Sequence, residues 1–274
     1  MARRRDEFLI DSTQAGHRLD HVLRARLGVG LRGARRLIER GAVTLDGRRE
    51  AAARRVREGQ VLVVLGEKTP NPQNMPVISV LGSVQGFAGL VKPAGLHTAA
   101  LVGGGASLEA MLPELLGEGW RLVNRLDLPT RGIVVAAQDA AREALFRGME
   151  NAGDVVKYYL ARVAGYVGEG MTIRAPLDVA DRARVRTLPG EDPDPLRWCH
   201  VEPVSHDPGA DESLVRVIIH KGARHQVRVH LASVGHPLVG DAVYGESAAE
   251  SGFYLHHFRI RSARFVFEDP SAAS

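Results

Sequence analysis

Apolar positions near the start of the chain recur at helical spacing first and at strand spacing afterwards. Leu19, Val22, Leu23 and Leu27 share one helix face. Gly28-Val29-Gly30 breaks that helix, and a second over about 31–40 turns Leu31, Ala34, Leu37 and Ile38 inward. The same spacing gathers Arg32, Arg36 and Arg40 at i, i+4, i+8, with Arg35 beside them. Val43-Thr44-Leu45 reads as a strand, Asp46-Gly47 as a tight turn, and Val61 to Leu65 as a later strand. A helix–helix–hairpin unit this small needs economical packing.

Pro70, Pro72 and Pro76 then stand among polar residues, the composition of a semi-rigid spacer. From Val77 onward, short apolar runs alternate with Gly and Pro turns. Strands are predicted near 87–91, 121–124, 132–137, 155–163 and 214–219, and helices near 107–116, 139–150 and 225–234. Strands outnumber helices and no βα alternation appears, so the predicted class is α+β with a mixed, mainly antiparallel sheet. In the last helix, Val227, Leu231 and Val234 form the packed face, and Arg228 lies at its margin. The expected organisation is a small domain over 1–66, a linker over 67–79 and a larger domain over 80–274.

Composition sharpens this outline in two respects. The 274 residues are 45% hydrophobic and include one cysteine, Cys199, so neither an internal disulfide nor a thiolate zinc site is available. No apolar run approaches the roughly 18 residues of a membrane span. Arg3-Arg4-Arg5 is followed by too short an apolar stretch for a signal sequence, and a cytoplasmic location is expected. The net charge of +4 is unevenly spread: residues 1–65 hold fifteen arginines and no lysine against eight acidic residues. A basic N-terminal third on a slightly acidic body fits a polyanionic partner, and it also fits an arginine-rich surface of a high-GC genome.

Candidate chemistry concentrates in Arg121 to Ala137. A polar loop from Asn124 to Gly132 joins two apolar strands and presents Arg125 and Asp127, a favoured setting for reactive groups. An isolated Arg-Leu-Asp is more simply a turn cap with its ion-pair partner. The chain contains a control, Arg18-Leu19-Asp20, which runs directly into a helix and makes Asp20 structural. His225 and His230 are about 140° apart around a helix, and His256-His257 face opposite ways on a strand, so no metal site is expected. Gly103-Gly104-Gly105 lacks both a phosphate-loop lysine and a dinucleotide fingerprint, and is read as a loop. No cofactor motif appears.

Several stretches resemble known families. Arg18-Leu19-Asp20 with Val22-Leu23, the run Arg35 to Val43, Leu45-Asp46-Gly47-Arg48 and Glu58-Gly59-Gln60-Val61 are similar to the alpha-L RNA-binding module. Asn124-Arg-Leu-Asp-Leu-Pro-Thr-Arg-Gly132 resembles the His-Arg-Leu-Asp-x-x-Thr-Ser-Gly motif of RluA-type pseudouridine synthases. Lys92-Pro93-Ala94-Gly95-Leu96, Lys157-Tyr158-Tyr159-Leu160-Ala161 and His225 to Leu231 match further motifs in the right order. Gly235-His236-Pro237, Gly240-Asp241 and Tyr244-Gly245 continue the last of these, and Leu255-His256-His257 with Pro270 resembles the closing element.

The resemblance implies isomerisation of uridine in structured RNA, with ribosomal RNA favoured over tRNA by the appended module, no cofactor, and a monomer. It implies that Asp127 is the catalytic carboxylate, acting as nucleophile or base, that Tyr159 stacks on the uracil and that Arg228 pairs with Asp127. Arg125 would extrude the nucleotide or hold its space, Lys157 would lie at the substrate, and Arg32, Arg35, Arg36 and Arg40 would meet phosphates. Asn124, Arg131 and Ala223-Arg224 depart from the family pattern. Those departures motivate an alternative, a decayed synthase scaffold that binds RNA or assists ribosome assembly. A hydrolytic glycosidase is disfavoured because such sites use two carboxylates.

Overall fold

The computed structural model describes residues 4–27, 31–39, 41–66, 77–100, 106–181, 184–245 and 252–273. The expected break at Gly28-Val29-Gly30, Arg40, the Gly103–Gly105 loop and most of the expected linker lie outside them, as do the side chains of Arg32 and Arg36. The chain divides into two compact units, residues 1–75 with 99–110 and residues 76–98 with 111–274.

In the first unit the strand β1 (Arg4–Leu9) precedes α1 (Leu19–Leu27), α2 (Leu31–Glu39), β2 (Val43–Leu45) and β3 (Val61–Gly66). The helical spacing is realised: Leu19, Val22 and Leu23 on α1 and Ala34, Leu37 and Ile38 on α2 are buried in one core with Ile10 and Leu62. Leu31 is only partly buried. Asp46 and Gly47 take left-handed φ of 51° and 76° and close Leu45 on Arg48. Asp and Gly are among the residues that tolerate this region. The strand β1 was not predicted. It pairs antiparallel with β3 at the sheet edge, order β1-β3-β2, where its charged residues discourage further pairing and hide any apolar alternation.

Asp20 is structural, as its context implied. Its side chain is fully buried, and Arg18 grips it through Nε at 3.0 Å and Nη2 at 2.9 Å while Arg35 donates Nε at 2.8 Å. These bonds, Arg18 first, hold its carboxyl well below the usual range despite burial. Arg35, expected at RNA phosphates, therefore spends one donor inside the unit.

The later elements are β4 (Ser79–Val84), β5 (Phe87–Lys92), α3 (Leu108–Leu116), β6 (Arg121–Leu122), β7 (Arg131–Ala137), α4 (Ala140–Ala152), β8 (Val156–Ala164), β9 (Met171–Ile173), β10 (Leu177–Asp178), β11 (Arg186–Thr187), β12 (Cys199–Asp207), β13 (Glu212–Ile219), α5 (Gln226–Ser233), β14 (Leu255–Arg261) and β15 (Val266–Glu268). The main sheet runs β4-β5-β7-β14-β8-β13-β12-β9, with β6 on β7 and β15 on β14. Every described pair is antiparallel except β7–β14, in keeping with the predicted class. Buried on both faces, β7 is a continuous apolar run, whereas β8 alternates. α4 starts where Asp139 accepts from the Arg142 amide at 2.7 Å and stops at Gly153, φ 83°.

Two expectations are corrected here. Arg228 does not lie at a surface margin: Gln226 to Leu231 on α5 are all buried, and Val234, assigned to the packed face, is 40% exposed just past the helix. The long strand β12 was missed because Pro203 and a register shift before Ser205 interrupt its alternation.

Candidate active site

The loop between β6 and β7 is pinned from several sides. Thr98 Oγ1 accepts from the Leu126 amide at 3.1 Å and donates to the Leu126 carbonyl at 2.7 Å. Asn124 Oδ1 accepts from the Val135 amide at 2.7 Å, and the Thr130 amide closes a turn on the Asp127 carbonyl at 3.1 Å. Asn124 is thus a loop staple. Lys92, wholly buried at the end of β5, donates Nζ to the carbonyls of Pro93 at 2.8 Å and Leu96 at 2.9 Å. Leu128 O, 3.5 Å from the same Nζ, also accepts from the Gly95 amide at 2.8 Å. Burial pushes Lys92 down to about 8, and the Asp127 charge opposes that shift.

Gly132 ends the loop where β7 meets β14. Its φ is 119°, and a Cβ there would lie 2.2 Å from the His257 carbonyl oxygen, so only glycine lets the two backbones pair. On the far side of this junction Arg131 donates Nη2 to Ser271 Oγ at 2.7 Å and faces Asp269 at 3.4 Å, and Asp269 also holds His256 Nε2 at 2.8 Å. The arginine that departs from the family pattern therefore ties the loop's end to the turn over Pro270–Ala273.

Held in this way, Asp127 keeps a side chain 23% exposed and meets Arg228, whose Nη1 donates to Asp127 Oδ2 at 3.0 Å. The same guanidinium grips Asp241 with Nε and Nη2, both at 2.7 Å, and lies 5.3 Å from the centroid of the Tyr244 ring and 5.7 Å from that of Phe253. Burial opposes the Arg228 charge, but the bonds to Asp241 and then Asp127 outweigh it, so its pKa stands above the ordinary arginine value. Burial likewise opposes the Asp241 charge, and Arg228 with the Val243 and Tyr244 amides still holds it below the ordinary range. His225, at a left-handed φ of 55°, brings Nε2 to 3.9 Å from Asp127 Oδ1, and its Nδ1 is 2.9 Å from the Tyr244 hydroxyl. Burial lowers its pKa against the pull of Asp127.

Tyr159 is buried on β8, its ring against His257. Burial pushes the phenol upward, and the charges of Asp127 and Glu150 add to the shift, so it stays neutral. Its neighbour on the same face, Lys157, expected at the substrate, is buried, paired with Glu150, and donates to the His220 carbonyl at 3.0 Å. Arg125 is exposed on the loop and makes no ion pair among the described residues.

A family profile described as RNA pseudouridylate synthase matches residues 89–233, more than half of the chain. An uncharacterized RNA pseudouridine synthase of Chloroflexus aurantiacus is 35% identical over 253 residues, 86% of this chain and 78% of the relative. The chain belongs to the RNA pseudouridylate synthase family. It is an RNA-modifying isomerase that converts uridine to pseudouridine, preceded by an S4 domain matched over residues 17–62. A ribosomal large subunit pseudouridine synthase D of Xanthomonas campestris is 31% identical over 261 residues, 87% of this chain and 74% of the relative. The human RNA pseudouridylate synthase domain containing 1 shares the fold, with a TM-score of 0.58 at 23% identity over 70% of this chain and 82% of that one.

Within this synthase, sequence reasoning left out Lys92 and Asp241. Both stand inside motifs quoted above, but their partners are backbone carbonyls and an arginine thirteen residues away. Lys92 had a usable signal, a lysine at the end of an apolar strand just before Pro93. Asp241 had none beyond its place after Gly240. No described helix is long and apolar enough to cross a membrane.

Proposed function

We propose that this enzyme isomerises one or a few uridines of large-subunit ribosomal RNA and that the Asp127 carboxylate carries the chemistry. The supporting observation is the Asp127–Arg228 contact: a partly exposed carboxylate on a pinned loop, held through one N–H of a buried guanidinium. In the reaction the N1–C1′ bond breaks, the base turns, and a C5–C1′ bond forms while C5 loses a proton and N1 gains one. Atoms and electrons balance with no redox step, so two demands remain, a carboxylate at the ribose and a platform for the free base. Tyr159 provides the platform, and Arg125, exposed on the Asp127 loop with no ion pair among the described residues, fills the gap that the extruded nucleotide leaves. Arg32, Arg35, Arg36 and Arg40 contribute phosphate contacts from the first unit. The ribosomal substrate is favoured by the large-subunit activity named for the Xanthomonas relative and by the basic first unit.

Asp127→Asn keeps shape and removes charge. It is expected to abolish single-turnover isomerisation while RNA affinity falls no more than severalfold. Turnover by the folded variant would remove Asp127 from the mechanism. Mapping pseudouridines in cells lacking the gene is expected to reveal loss at large-subunit positions, and an unchanged large-subunit map would sink the ribosomal assignment.

A further inference from the structure

We infer that His257 is a positioning residue for the isomerisation: it sets the plane of the Tyr159 ring relative to the loop that carries Asp127. The inference rests on the reading of Tyr159 as the platform for the free base.

Strand β14 lies between β7 and β8, and His257 is the residue on it that stands opposite both Gly132, where the Asp127 loop ends, and Tyr159. Its imidazole is stacked on the Tyr159 ring with the two planes 20° apart. One face of the tyrosine is thereby taken, and the other is left for a base. The last torsion of a tyrosine side chain has broad minima, so the ring plane is set by what the ring lies against.

An imidazole turns just as freely, and here a hydrogen bond pins it. The Ile133 carbonyl can only accept, so His257 Nδ1, 2.6 Å away, carries the proton and donates. Asn124 Nδ2 lies 3.5 Å from the same oxygen, while Asn124 Oδ1 takes the Val135 amide. The first residue of the Asp127 loop and the backing of Tyr159 therefore meet at one carbonyl of β7. A shift of that carbonyl moves the loop, the imidazole and the plane of the tyrosine together.

Packing alone gives no reason for a histidine at this place. The side chain is fully buried and Nε2 has no partner among the described residues, a cost that a phenyl ring of similar shape avoids. What the imidazole offers over phenyl is the Nδ1 bond, and that bond ties the platform to the catalytic loop. The expected defect on losing it is in the chemical step, where the freed base must turn on Tyr159 before C5 meets the ribose. RNA binding is spared.

The test uses full-length enzyme in excess over total RNA from cells that lack the gene, labelled with tritium at uridine C5, and follows tritium release in a single turnover. His257→Phe keeps a ring against Tyr159 and removes the bond to Ile133. His257→Asn keeps a donor in the place of Nδ1 and removes the ring. Each is expected to slow release at saturating enzyme by about tenfold, the scale of a slight misplacement, while the half-saturating enzyme concentration moves by less than about twofold. A packing role predicts a normal rate for His257→Phe, and for His257→Asn a loss no larger than the unfolded fraction read from its urea curve. If His257→Phe does not fold, His257→Asn decides, with its rate counted per folded molecule. A normal rate in the deciding variant, or a loss confined to half-saturation, overturns the inference and leaves Tyr159 as the platform. A normal rate in Tyr159→Leu, measured alongside, overturns the platform reading and the inference with it.

Discussion

The imidazole of His257 lies against the ring of Tyr159, with centroids 4.5 Å apart and planes at 20°. Its Nδ1 is 2.6 Å from the Ile133 carbonyl and is best read as the protonated nitrogen, donating to that oxygen. Nε2 is buried with no partner among the described residues. Burial pushes His257 down to about 3, so this backing for the tyrosine stays neutral throughout the working pH range.

One consequence is measurable in acid. The unfolded histidine takes up a proton near 6.5 and the folded one near 3, so stability is lost as pH falls between those values and is flat above them. From pH 7 to pH 5 this residue alone is expected to remove about 2 kcal/mol. His257→Phe keeps the stacked ring and is expected to show a shallower fall in urea midpoint over the same interval. Equal slopes for the two proteins would mean that His257 is solvated or charged in the folded state.

Lys92 predicts the opposite edge of the pH range. The folded amine gives up its proton near 8 and the unfolded one near 10.5, so the unfolded chain binds more protons in between and stability rises with pH there. The gain from pH 8 to 10 is about 2 kcal/mol and disappears in Lys92→Met. The same variant leaves the Pro93 and Leu96 carbonyls without their ammonium donor, removes a cation that Asp127 feels, and is expected to slow isomerisation. A variant whose stability tracks the wild type between pH 8 and 10 would place the ammonium in water.

Gly132→Ala asks for a side chain where the His257 carbonyl already stands, at a φ of 119° that alanine rarely adopts. The β7–β14 junction cannot open without breaking the centre of the sheet. A loss of more than about 4 kcal/mol is expected, so the variant should be recovered mainly unfolded or insoluble. A soluble protein with a melting temperature close to wild type would contradict the backbone geometry.

Arg32, Arg36 and Arg40 are tested by salt. Each phosphate contact adds about 0.7 to 0.9 to the slope of log affinity against log salt, so replacing all three with Ala is expected to flatten that slope by about 2. Arg35 is left intact because it holds Asp20. An unchanged slope would make these arginines ordinary solvated surface.

The two Arg-Leu-Asp copies show what a sequence can convey. Both were separable in advance, because one runs into a helix and the other turns between strands, and the structure buries Asp20 beneath two partly exposed arginines but leaves Asp127 partly exposed against one buried arginine. The helices α1, α2 and α4 were legible because one face of each meets a core at regular spacing. Strand β1 was not, since an edge strand carries charge where alternation would be sought. Arg228 was placed near Asp127 by motif alone; nothing local in Gln226-Val-Arg-Val-His230 says that a helix of mixed residues will be buried on all sides. Asp241 was beyond local reading for a like reason, since its bonds to Arg228 depend on how two separate segments meet, whereas Lys92 bonds the nearby Pro93 and Leu96 carbonyls and its place at the end of an apolar strand was a usable signal.

Strand β14 fills the gap between β7 and β8, yet it lies about ninety residues beyond β8 along the chain. During synthesis, those two strands leave the ribosome with facing edges bare, and neither can close on its eventual neighbour until residues 255–261 follow. The interval exposes the apolar run of β7 to mispairing, with other nascent copies or with its own hairpins. A folding helper that shields bare edges would therefore raise the yield of this enzyme more than one acting on its first unit, where β2 and β3 lie close in sequence.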